Sequence, residues 1–158
     1  IDYKEDILGV LDTIKCKKYV FIDACQSGAI QDLDEGSKGG LNNISDAINN
    51  LISAENSLRS IVSCSKDELS YEDPAWENGA FTEALIEAFN DVEGKTEKGN
   101  ARANADGDAV LTMGELYGYL SERVPYLVKT TKPKAPKQHP FMPKNDKSED
   151  LPLIFYEK

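Results

Sequence analysis

The run Tyr19-Val20-Phe21-Ile22 constrains this chain more than any other segment. Four successive β-branched or aromatic residues, with no polar alternation, describe a strand covered on both faces. Such strands belong to parallel sheets sandwiched by helices. The run stops at Asp23-Ala24-Cys25-Gln26-Ser27-Gly28. Open α/β sheets collect their chemistry where strands end, and Gly28 permits a sharp turn there.

The rest of the chain fits this pattern. Residues 3–16 carry Ile7, Leu8, Val10, Leu11 and Ile14 at helical spacing, opened by Asp2 with Glu5 three residues on. A polar, Gly-containing loop spans 29–40, and Leu41, Ile44, Ala47, Ile48, Leu51 and Ile52 mark a second amphipathic helix. Residues 59–64 read as a second buried strand that includes Cys64, and 65–78 as a loop. A helix follows over 79–89, a polar surface loop over 91–109, and a helix over 112–124 with a Thr112/Glu115 capping box. Residues 129–150 form a Pro/Lys-rich loop without regular structure, and 153–156 a last strand. Strands alternating with helices predict an α/β fold with a mainly parallel sheet, in one domain over 1–158.

Hydrophobic residues at 40% suffice for a core in 158 residues. A net charge of −10 disfavours nucleic acid and favours basic substrates. No apolar run is long enough to span a bilayer, so no membrane association is expected. The three cysteines, 16, 25 and 64, have neither disulfide nor metal-site spacing. That favours a cytoplasmic setting, although the compartment stays open. The chain opens on Ile1 without Met and reads as a processed or truncated end.

Phe21-Ile22-Asp23-Ala24-Cys25-Gln26-Ser27-Gly28 resembles the nucleophile motif of the caspase/metacaspase family and its bacterial relatives. Asp23 stands where caspases carry Gln, and Gln26 where metacaspase-like members usually carry His. The likeness continues through Ser60–Asp67, Glu72, the Asn78-Gly79-Ala80-Phe81-Thr82-Glu83-Ala84-Leu85 helix start, Asp106-Gly107-Asp108, and Gln138 with Pro140. The resemblance implies a caspase-like three-layer sandwich, a mainly parallel sheet flanked by helices, here lacking the first strands. It also implies a cysteine endopeptidase in which the Cys25 thiolate attacks a peptide carbonyl. A catalytically inactive interaction module, or a clostripain- or gingipain-like peptidase, are the alternatives.

The family's dyad histidine precedes the cysteine, yet His139 is the chain's one histidine. It follows Cys25 in the Pro-rich tail and reads as a structural or exposed loop residue. The resemblance therefore implies an N-terminal companion segment that carries the catalytic histidine. Asp23 shares a strand face with Cys25, so a carboxylate there can receive the basic side chain of a peptide or protein substrate. Asp67 and Glu72 are further substrate-binding candidates. Cleavage after Arg or Lys is the expectation. A structural cap or turn carboxylate is the alternative for Asp23, and ordinary loop charge for Asp67 and Glu72. Lys38 is a candidate self-cleavage site.

Asn104, Asp106, Asp108 and Glu115 have EF-hand spacing, but Ala109 replaces the glycine at the sharp turn. A turn feeding the capping box is the simpler account. No cofactor is expected, with calcium the one candidate.

Overall fold

The computed structural model describes residues 9–23, 58–65, 68–90, 101–135, 137–143 and 151–156. The predicted loop 29–40, the helix 41–52, Cys25, Asp67 and Lys38 lie outside the described residues.

Helix α1 (Gly9–Thr13) feeds strand β1 (Lys18–Ile22). The ammonium of Lys18 donates to the carbonyls of Leu11 (2.9 Å) and Ile14 (3.2 Å), closing the helix end from one turn below. A cation there also meets the negative end of the helix dipole. β1 pairs in parallel with β2 (Leu58–Val62), with Phe21 opposite Ile61 and Ile22 opposite Val62. The sequence run thus forms a strand, but each of its residues is half-buried rather than covered on both faces, and both strands end at the same edge. Cys64, expected inside β2, lies beyond it; its thiol sits 3.4 Å from the Glu68 carbonyl as the chain turns away.

Residues 65–78, read as plain loop, contain a hairpin instead. β3 (Glu72–Asp73) pairs antiparallel with β4 (Asn78–Gly79). Asp73 explains it locally: its carboxylate accepts the Ala75 amide and its carbonyl the Trp76 amide. Glu77 then takes the left-handed conformation (φ 60°), and Trp76 is buried. Lys132 reaches Asp73 at 2.8 Å, holding its carboxyl below the usual carboxylate range together with the Ala75 amide.

Helix α2 (Ala80–Phe89) follows at once, and α3 (Met113–Thr131) packs against it. Ala80, Phe81, Ala84 and Ala88 face inward from α2; Leu116, Leu120, Val124, Leu127 and Val128 face them from α3. Three alanines on one face let the helices approach closely. Full burial of Phe81 contributes about 1.5–3 kcal/mol. Helix α3 runs seven residues past its predicted end, through Pro125. Proline removes one backbone bond there; the buried Leu127 and Val128 on the next turn offset it. Its start follows the sequence reading, with Thr112 and Glu115 forming both bonds of a capping box.

Across the two helices Arg123 forks onto Glu87, with Nη2 at 2.7 Å from Oε1. Arg123 also stacks over Tyr126, 5.0 Å from the ring centroid. The guanidinium holds the Glu87 carboxyl below its ordinary value despite partial burial.

β5 (Val110–Thr112) and β6 (Pro152–Phe155) form a second antiparallel pair. Among the described residues only β1 and β2 run parallel, and neither antiparallel pair was anticipated from the sequence. β6 joins the rest through the Tyr19 hydroxyl, which donates to the Pro152 carbonyl at 2.8 Å. The Pro/Lys-rich segment is tied to the sheet: Phe141 exchanges both backbone bonds with Val62. β2 therefore has β1 on one edge and Phe141 on the other. No helix among the described residues is long and apolar enough to cross a membrane.

Candidate active site

The parallel strands deliver Asp23 and Ser63 to the same end of the sheet, where the Ser63 amide donates to the Ile22 carbonyl at 2.8 Å. Asp23 is exposed, yet its carboxylate is held from three sides. Oδ1 accepts from the Ser70 hydroxyl (2.9 Å). Oδ2 accepts from the Thr82 hydroxyl (2.6 Å) and the Thr82 amide (3.3 Å). Thr82 occupies the first turn of α2, whose N-cap, Gly79, makes no side-chain capping bond. Asp23 therefore caps α2 from another strand, satisfying an amide that has no partner within the helix.

This geometry accounts for the helix start Gly79-Ala80-Phe81-Thr82. A Cβ on Gly79 would stand 2.6 Å from Asp23 Oδ2, so only glycine admits the carboxylate. Ala80 and Phe81 enter the core, and Thr82 returns two donors to Asp23. The spacing was visible in the sequence; its target, Asp23, was not.

Behind Ser70 lies Gln138, fully buried. Its amide nitrogen donates to the Ser63 carbonyl (2.9 Å) and the Ser70 hydroxyl (3.2 Å), and its oxygen accepts the Tyr71 amide (2.9 Å). The Ser63 hydroxyl is buried with no partner among the described residues. The Tyr71 hydroxyl is likewise shielded, and burial together with the nearby Glu68 charge raises its pKa. Sequence reasoning singled out none of Ser70, Thr82 or Gln138 as site residues. Glu72 is exposed on β3, in register with Gly79, so its backbone adjoins the Asp23 cradle.

His139 meets Glu68, which the sequence reading did not mark: Nδ1 lies 2.7 Å from Oε1, and the His139 amide bonds the same carboxylate. The ring is 45% exposed. Because Phe141 pairs with the far edge of β2, His139 approaches from the side opposite β1.

In the calcium-like stretch, backbone amides engage the acids. Asp106 accepts from Asp108, Asp108 from Val110, and Glu115 from Ala105, Asp106 and Thr112. Burial opposes the charged form of Glu115, but these donors outweigh it and lower its pKa. Gly107 supplies the left-handed residue (φ 71°). No group of three or more metal-ligating His, Cys, Asp or Glu occurs among the described residues.

Asp23 stands at the exit of a parallel strand, and Cys25 follows it two residues on in the sequence. A scan against protein-family models matches the caspase domain over residues 6–143, most of the chain. The protein therefore belongs to the caspase domain family of cysteine-type peptidases. Searches of curated proteins and of solved structures return no match.

Proposed function

We propose that this chain is the nucleophile-bearing part of a cysteine endopeptidase that cuts peptides and proteins after Arg or Lys. One observation carries the specificity: the Asp23 carboxylate is immobilised at the strand exit yet exposed, two residues before Cys25. With three donors already bound, the fixed carboxylate keeps one Oδ1 lone pair open, which receives a basic side chain without reorganising first. Glu72, exposed on the adjoining β3, adds negative charge beside it, and Asp67 is a further acidic candidate from the sequence. Arg59, the cation that an acid-selective pocket would need, is buried at the opposite end of β2.

In the reaction the Cys25 thiolate adds to the scissile carbonyl. The Cys25 backbone N–H donates to the developing oxyanion. The dyad histidine protonates the departing amine, then removes a proton from the water that releases the acyl group. That histidine belongs to an N-terminal companion segment, which also supplies the first strands and completes the three-layer sandwich.

Labelling the complete assembly with Arg-P1 and Asp-P1 electrophilic peptides, read by intact mass, tests the reading. Label from the Arg probe alone, lost in Cys25→Ala, is expected. Label from the Asp probe alone overturns the specificity. Equal labelling of the 158-residue chain without any companion would move the base to His139, whose Nδ1 Glu68 already orients.

A further inference from the structure

The contacts around Gln138 have a fixed direction. Its oxygen faces the Tyr71 amide, which can only donate; its nitrogen faces the Ser63 carbonyl, which can only accept. The side-chain amide therefore has one orientation. In that orientation Nε2 also donates to the Ser70 hydroxyl. Ser70 has a single proton, and the Asp23 carboxylate can only accept, so that proton points to Asp23 Oδ1. The chain of bonds runs one way, from Gln138 through Ser70 to Asp23.

The segment that carries Gln138 is pinned on both sides. His139 is bound through its amide and ring to Glu68, and Phe141 exchanges backbone bonds with Val62. A fully buried glutamine in a Pro/Lys-rich stretch, with both ends of its amide matched, is a costly group to bury unless all its partners are met. Here all of them are met, and one leads to the exposed carboxylate.

We infer that Gln138 is a positioning residue for P1 recognition: acting through Ser70, it fixes the Asp23 carboxylate in the orientation that receives the substrate's basic side chain. Thr82 holds the other oxygen and Gly79 leaves it room. The inference rests on the reading of Asp23 as the P1 carboxylate and names the residues that make that carboxylate selective.

The test compares two peptide substrates of the complete assembly, one with Arg at P1 and one with citrulline, its neutral isostere. Variants are Gln138→Glu, Ser70→Ala and Ser70→Thr. Glutamate at 138 presents oxygen where Ser70 receives a donor, drawing the Ser70 proton away from Asp23. Expected is a loss of about tenfold in kcat/KM for the Arg substrate in Gln138→Glu and Ser70→Ala, carried by KM. The citrulline substrate should change less than about twofold, and Ser70→Thr, which keeps the hydroxyl, should restore the Arg preference. Should Gln138→Glu fail to fold, the Ser70→Ala and Ser70→Thr pair decides alone. Equal losses on both substrates, or no recovery in Ser70→Thr, would make the network merely structural and overturn the inference while leaving the Asp23 reading intact. A wild-type enzyme that does not distinguish Arg from citrulline removes that reading itself, and the inference with it.

Discussion

Replacing Gly79 by alanine places a methyl carbon 2.6 Å from Asp23 Oδ2 and 3.3 Å from its Cγ. The oxygen contact is about 0.8 Å inside ordinary van der Waals distance, so one group must move. The Gly79 backbone (φ −77°, ψ 150°) suits alanine, and the strain falls on the carboxylate alone. Retreat by that distance breaks the 2.6 Å bond to the Thr82 hydroxyl and uncaps α2. The expected destabilisation is about 1–2 kcal/mol, the range of a lost cap or a modest overpacking. Asp23→Ala alone should cost a similar amount for the same bonds. The double variant distinguishes this account from others. With the carboxylate gone, the three atoms nearest the alanine methyl are gone too, and the second substitution should be near neutral. Urea unfolding of the four proteins should give a coupling energy of about 1–2 kcal/mol, with the double variant more stable than additivity predicts. Additivity within about 0.5 kcal/mol would refute the cradle as the reason for glycine at 79.

Glu87→Gln should lower stability by about 1–2 kcal/mol at pH 7, a charge-assisted pair discounted because the Arg123 side chain is 30% exposed. The Arg123 bond depresses the folded Glu87 carboxyl, so the wild-type advantage is complete above about pH 4.3 and vanishes as pH falls through the folded value. Urea midpoints at pH 7 and near pH 3 check this, and an equal gap at both would contradict it. Millimolar calcium should leave the melting temperature within about 1 °C, because Asp106, Asp108 and Glu115 already serve backbone amides. A rise of several degrees, abolished in Asp108→Asn, would instead make that loop a cation site.

Much of this protein is legible in local pattern. The unbroken apolar run 19–22 specifies a strand, and the Thr112/Glu115 pair starts α3 where it is found. The Asp23–Gly28 motif points to the family that the domain match establishes. These signals act within a few residues, through backbone propensity, burial period and capping, so they survive without knowledge of the fold. Where local chemistry was ambiguous, tertiary packing decided. The helix predicted over 112–124 continues through Pro125 because Leu127 and Val128 have a core to enter. The short β3–β4 hairpin is too brief to show a strand period of its own. Above all, Asp23 meets Ser70, Thr82 and Gly79 across 47 to 59 residues of sequence, and Gln138 meets Ser70 across 68. Hydrogen bonds of that separation leave no period or spacing to read. The sequence by itself determined which residue types stand at the strand exit; only the folded chain determined which donors hold the carboxylate there, because those donors converge only after the sheet and α2 have packed.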